Sequence, residues 1–327
     1  MKLGTHGPDV FPMALGCMGM GGGSWYGPSD DAESIATIHE ALERGINLID
    51  TGDFYAQGKN ELLVGKALQG RRDKALLSVK YGGLRGPDGT FLGVDNSPNA
   101  TKNFLAYSLN RLGVDHIDIY RPARLDPKVP IEDTIGAIAE LVKAGYVRYI
   151  SLSEVGAETM RRANKVHPIC DLQIEYSLIS RGPEATIIPA LAELGMAMTA
   201  YGVFSRGLLT GSKPSGAGDT RAHMPRFAGA NGEKNQTLVA ALAKLATDKG
   251  VTPAQLALGW VRAKGAAHGV TIIPTIGART RKHVADALSA LDVTVSTAEL
   301  ATLEAEMSDV AGSRYPEQMM AHLDSEK

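Results

Sequence analysis

INLIDTGDFYAQGKNELLVGKALQGRRDKALLSVK, residues 46–80, carries the pattern that decides the fold. Two short β-rich runs, INLID (46–50) and ALLSVK (75–80), flank NELLVGKALQG, where apolar residues recur at helical spacing. An apolar run, an amphipathic helix stopped by a glycine, and a second apolar run make a βα unit. The same unit recurs outward in both directions. PMALGC (12–17) precedes it, and HIDIY (116–120), VRYISLS (147–153), DLQIEY (171–176), MAMTAY (196–201) and GVTIIPT (269–275) follow.

Between these runs lie stretches of helical period. In DAESIATIHEAL, Ile35, Ile38, Ala41 and Leu42 line one face. Gly45, Gly70, Gly113, Gly145 and Gly195 fall where helices stop before the next strand. Eight strands alternating with helices predict a parallel sheet, and the count and length fit a closed (β/α)8 TIM barrel in the α/β class. A doubly wound open sheet is the alternative that periodicity leaves open. No linker or charge block divides the chain, so residues 1–327 read as one domain. A polar, glycine-rich loop is expected over 204–235, with helices over 236–249 and 253–264, and TAELATLEAEMSDV reads as a closing helix.

The 327 residues include 34 basic and 36 acidic side chains, a net charge of −2 that gives no reason to expect nucleic acid or anionic lipid. The N-terminal segment has no apolar signal core, and no apolar run approaches a membrane span. Two cysteines, Cys17 and Cys170, are too few for a disulfide framework or a thiolate metal cage. A cytoplasmic location is the default expectation, and the oligomeric state stays open. The histidines lack ligand spacing, so no metal is expected. No G-x-S-x-G elbow marks a serine nucleophile.

In a (β/α)8 barrel the chemistry sits at the C-terminal ends of the strands. There the second strand ends in Asp50 and the third in Lys80, with Tyr55 in the loop between them. A lysine ending an apolar strand can anchor a carboxylate on its neighbour. A cation beside a tyrosine favours the phenolate, and such a tyrosine exchanges protons with a carbonyl or alcohol near neutral pH. Spacing alone allows the plainer reading of an ion pair beside an ordinary loop aromatic.

DTGDFYAQGKNELLVGKAL (50–68) resembles the active-site segment of the aldo-keto reductase superfamily, D-T-A-x-x-Y-G-x-x-x-N-E-x-x-[LV]-G. The resemblance continues through SVKYG, LVKAGYVRYISLSEV, LQIEYSLISR, TAYGVFSRGLLTG and IIPTIGART, over almost the whole chain. LSE and QIEYSL resemble the bacterial and plant branch of pyridoxal-reductase-like and auxin-induced-like proteins. The resemblance implies a barrel with an N-terminal hairpin and extra C-terminal helices. It also implies NADP(H) as cofactor and hydride transfer to a small-molecule aldehyde or ketone, or from the matching alcohol. Tyr55 becomes the general acid, with Asp50 and Lys80 tuning it.

The resemblance further implies that Ser153, Glu154 and Gln173 stand at positions holding the nicotinamide carboxamide, Glu154 where many relatives have asparagine. Tyr201 matches the aromatic on which the nicotinamide ring stacks. Gly202, Phe204, Arg206, Gly207 and Leu208 on one loop, with Ile276, Gly277, Arg279, His283 and Asp286 on another, would hold the pyrophosphate and the adenosine phosphate. Arg279, Arg281, Lys282 and His283 open a helix, a setting that suits a phosphate.

The family places a histidine after strand four, in patterns such as Y-x-x-H-R-x-D-P. Over DIYRPARLDP (118–127), Ala123 takes that position: either Tyr55 suffices with a reactive or bulky substrate for which the alanine makes room, or Arg121 or Arg124 points inward to supply the missing donor. A cofactor-binding protein with weakened catalysis is the alternative function. GMGGGSWYG (19–27) departs from G-x-G-x-x-G at Ser24 and reads as the first βα loop, with Trp25 and Tyr26 as candidate pocket residues beside Ala123 and Arg124.

Overall fold

A computed structural model describes residues 1–22, 27–214 and 219–326. The strands are β1 (Ala14–Gly16), β2 (Leu48–Gly52), β3 (Leu76–Tyr81), β4 (Gly83–Arg85), β5 (Phe91–Val94), β6 (Ile117–Pro122), β7 (Val147–Ser153), β8 (Ile169–Glu175), β9 (Ala197–Tyr201) and β10 (Ile272–Ile276). Eight of them close in the order β1-β10-β9-β8-β7-β6-β3-β2, every neighbour parallel. Because β1 pairs with both β2 and β10, the sheet has no edge, and the open-sheet alternative falls. β4 and β5 form a separate antiparallel hairpin after β3, which the sequence reading did not anticipate.

Helices α1 (Asp31–Glu43), α2 (Lys59–Leu68), α3 (Pro98–Leu112), α4 (Ile131–Lys143), α5 (Ala157–Val166), α6 (Ile187–Leu194), α7 (Gly229–Lys249), α8 (Pro253–His268) and α9 (Arg281–Leu288) follow the barrel strands in turn, with α7 and α8 both between β9 and β10. After them come α10 (Thr297–Glu306) and a short α11 (Glu317–Met320). Thr252 with Gln255, and Ser296 with Glu299, form capping boxes that start α8 and α10. The loop expected over 204–235 is shorter than that, since α7 begins at Gly229 and two 3-10 turns, Leu208–Thr210 and Thr220–His223, interrupt it. Among the described residues no helix is long and apolar enough to cross a membrane.

Side chains alternate along each strand, so one set faces the barrel interior. At the N-terminal end that set is apolar: Ala14, Leu48, Ile119, Ala197 and Ile273 cluster with Leu3 and Val10. The N-terminal segment pairs through a single antiparallel bridge, Lys2 with Asp9, and seals this end. One step up, Arg121 is wholly buried. Its guanidinium donates to Asp171 Oδ2 at 3.2 Å, Thr199 Oγ1 at 3.1 Å and Ser78 Oγ at 2.7 Å. This polar layer is the floor of the mouth above it.

Candidate active site

The register of β2 against β3 puts Asp50 beside Ser78 and Gly52 beside Lys80. Lys80 Nζ meets Asp50 Oδ2 at 2.5 Å, while Ser78 Oγ and Gln173 Nε2 each donate to Oδ1 at 3.0 Å. Both charged side chains are buried, at 7% and 6% exposure. Burial alone would raise the Asp50 carboxyl, but the Lys80 and Arg121 cations outweigh it and the group lies below its usual range. Lys80 is drawn below its usual value by the same burial, partly offset by the Asp50 charge.

Tyr55 is buried at the start of the turn Tyr55–Gly58, and the Lys80 ammonium lies 5.2 Å from its ring centroid. The turn is strained: Ala56 and Gln57 hold φ of 48° and 53°, a region that side chains other than glycine rarely adopt. A Cβ on Gly52 would press on the Tyr55 ring at 3.3 Å, so glycine here gives the ring room. Asn60 binds the site together from α2. It pairs with Thr51, and its amide donates to the carbonyls of Cys17 at 2.7 Å and Met20 at 2.9 Å, tying down the first βα loop.

Ser153 ends β7 with its hydroxyl buried and without a partner among the described residues, a donor and acceptor left for a ligand. Glu154 follows at φ 54°. Its carboxylate takes Arg314 Nη1 at 2.9 Å and Nη2 at 2.5 Å, the Tyr201 hydroxyl at 2.7 Å and the backbone N–H of Glu175 at 3.0 Å. Burial works against this charge, yet the Arg314 pairing brings the carboxyl down to about 2. Tyr201 remains half-buried at the end of β9, its hydroxyl 3.0 Å from that of Tyr315. Arg314 and Tyr315 belong to the C-terminal segment, which returns to the mouth. There Asp324 accepts from the N–H of Gly156 at 2.9 Å and from the Thr159 hydroxyl at 2.7 Å. This return had no signal in local sequence pattern.

The outer candidates divide. Arg206, at φ 56°, donates to Glu175 at 3.2 Å and stacks over Tyr315 at 4.5 Å, with Gly207 at φ 89° and Gly202 at φ 66° shaping the loop. Leu208 and Ile276 are buried in the core, leaving only their backbone for a ligand, while Phe204 is half-buried. Gly277, His283 and Asp286 are exposed around the start of α9, and Arg279 reaches the carbonyl of Pro28 at 3.2 Å. Glu33 of α1 occupies Arg281, accepting its backbone N–H at 3.0 Å and its Nη2 at 2.9 Å. Trp25 and Tyr26 lie outside the described residues.

Ala123 lies just past β6, two residues beyond the inward-facing Arg121, with its N–H bonded to Tyr81. Of the two arginines, Arg121 is held below by Asp171 and Thr199 and does not reach the mouth. Arg124 does reach it. One nitrogen donates to the Ala123 carbonyl at 2.6 Å. Burial disfavours its charge, but Tyr201, Tyr315 and Glu154 nearby hold it firmly protonated. Its remaining nitrogens donate to nothing among the described residues. The barrel mouth therefore holds a buried lysine–carboxylate pair against a tyrosine, an unsatisfied hydroxyl and a half-used guanidinium.

Residues 12–306 match the model of the aldo/keto reductase family. A soybean protein (Glycine max) named "Probable aldo-keto reductase 1" is 38% identical over 96% of this chain and 91% of that protein. The aldo-keto reductase yakc [NADP(+)] of Schizosaccharomyces pombe is 35% identical over 95% and 93%. Among solved structures, the glycerol dehydrogenase AKR11B4 from Gluconobacter oxydans superposes with a TM-score of 0.83 at 28% identity, covering 94% of both chains. The aldo-keto reductase AKR11C1 from Bacillus halodurans, in its holo form, gives 0.76 at 29% identity, over 96% of this chain and 97% of that one. This chain belongs to the aldo/keto reductase family of oxidoreductases.

Proposed function

We propose that the protein is an NADP(H)-dependent oxidoreductase acting on the carbonyl of a small aldehyde or ketone, or on the matching alcohol, with Tyr55 as general acid and base. The observation that carries the reading is the buried Asp50–Lys80 pair beside Tyr55. When bound, the nicotinamide supplies or accepts the hydride. The orphaned Ser153 hydroxyl fits a carboxamide, and the half-buried Tyr201 supplies a ring beside it. Two relatives over most of the chain, one of them named for NADP(+), support the cofactor.

Tyr55 gives its phenolic proton to the carbonyl oxygen as negative charge develops there. The Lys80 cation stabilises the phenolate left behind, and Asp50 keeps that cation charged in a buried setting. Ala123 stands where the family pattern Y-x-x-H-R-x-D-P has its histidine, and a methyl group can neither donate nor relay a proton. Arg124 fills that role: it is cationic, faces the mouth and has nitrogens to spare. The missing ring also leaves room for a bulkier substrate.

Steady-state NADPH consumption with a panel of aldehydes and ketones tests this division of roles. Arg124→Ala is expected to lower kcat/KM roughly 10²-fold, the usual loss for one positioned donor. Adding Ala123→His to it is expected to restore part of the rate. If Arg124→Ala leaves kcat/KM unchanged, Tyr55 works unaided; silence of the wild type with intact NADPH binding would favour a cofactor-binding role without turnover.

A further inference from the structure

A cavity of about 470 Å³ opens beside the barrel, between the Tyr55 turn, the β4–β5 hairpin and α3. Phe54, Phe104 and Tyr107 give it aromatic walls, and Asp53, Arg85 and Arg111 give it polar ones. None of these residues takes part in the proton chemistry proposed for the mouth.

Its polar groups are incompletely used. Asp53 is 6% exposed; among the described residues its Oδ1 has no hydrogen-bond partner, while the carboxyl takes a long bond at Oδ2 from the Gly82 N–H at 3.4 Å and support from the Phe54 N–H. Arg111 donates through Nε to Glu61 at 2.5 Å, and its terminal nitrogens donate to nothing among the described residues. Arg85 gives one 3.3 Å bond to the Gly89 carbonyl, and its guanidinium lies over the rings of Phe54 and Phe91 at 5.9 and 5.5 Å. Burial, and then the neighbouring Glu61 charge, push Asp53 up to about 8, so it is a neutral acid at neutral pH. Glu61 balances Arg111, which leaves the Arg85 charge in surplus.

Two guanidinium groups with idle donors beside flat aromatic walls match a planar carboxylate on an aromatic ring. The Asp53 carboxyl in the cavity wall matches a hydroxyl or amine on the same ring. We propose that this cavity is a second small-molecule site, separate from the barrel mouth, for an aromatic carboxylate bearing a hydrogen-bonding substituent. An occupant touches Phe54, whose ring meets Tyr55 edge-on at 5.0 Å, and Gln57, which donates to the Gly86 carbonyl at 3.1 Å. Phe54 precedes the strained turn that carries Tyr55 and Gln57 lies within it, so occupancy alters turnover without displacing NADPH. That consequence rests on the role assigned to Tyr55; binding itself does not.

The probe is 4-hydroxybenzoate, titrated calorimetrically into the full chain near neutral pH, with and without NADPH. One site is expected, weakened about tenfold or more by Arg85→Ala and by Tyr107→Ala, a solvent-exposed position whose loss spares the core. Phenol, which lacks the carboxylate, is expected to bind at least about tenfold more weakly. No measurable binding, or binding indifferent to both substitutions, overturns the site. Binding lost in Arg124→Ala and competitive with the carbonyl substrate also overturns it, because the probe would then sit in the mouth. Binding as expected with turnover unchanged would fault the role given to the Tyr55 turn and leave the site standing.

Discussion

Removing Asp50 alone should harm the protein more than removing Asp50 and Lys80 together. Asp50→Ala strands the Lys80 ammonium at 6% exposure and leaves the Ser78 hydroxyl and Gln173 amide without their acceptor. A buried charge that loses its partner typically costs about 3–5 kcal/mol. Lys80→Met leaves a buried carboxylate that keeps two neutral donors, and should cost about 3 kcal/mol. With both charges gone no buried charge is left without its partner, and only the Ser78 hydroxyl and Gln173 amide still lack their acceptor, so the double variant should lose about 2 kcal/mol, far below the sum. The folded-state pKa of Asp50 is depressed, so its contribution is present above the ordinary carboxylate range and lost as pH falls through the folded value. Neutral pH is therefore where the cycle must be measured. Guanidinium unfolding of the four proteins without cofactor gives midpoints and slopes. Single losses below about 1 kcal/mol that simply add would refute the view that this pair is a tightly coupled buried unit.

Glu33 sits as an internal anion on Arg281. Glu33→Gln should tighten NADPH about two- to fivefold and leave NADH nearly unchanged, measured as dissociation constants; equal gains for both cofactors would contradict the assignment of α9 to the phosphate. Glu154 titrates from 4.5 down to about 2, a stabilisation on the order of 3 kcal/mol that is full above pH 4.5 and lost as pH falls through about 2. Glu154→Gln should be destabilised at neutral pH and show a flatter thermal midpoint than wild type across that acid window; parallel curves would count against the Arg314 pairing.

What the sequence makes legible here is local or nearly so. Apolar alternation and glycine stops mark the barrel strands and helices, and Asp50 and Lys80 stand out because each is a charge at the end of an apolar strand. Arg121 is different. Its partners Asp171 and Thr199 lie 50 and 78 residues away, and a lone arginine in a strand gives no hint of an interior layer. The closure of the mouth by Arg314 and Tyr315 is likewise hidden, since Glu154 and Arg314 are 160 residues apart. The start of α7 in GANGEKNQ was missed because glycine and asparagine are weak helix formers and no side chain caps the end. The β4–β5 hairpin, whose second strand exposes Phe91 and Leu92, lacks the polar–apolar alternation that marks a half-buried strand.

The most direct test of the central claim is Tyr55→Phe, which removes one oxygen and leaves the ring against Lys80. NADPH consumption across the carbonyl panel should fall by roughly 10²–10⁴-fold, while the NADPH dissociation constant stays within about threefold of wild type. Turnover by Tyr55→Phe at the wild-type rate would contradict the account, because the proton would then come from elsewhere.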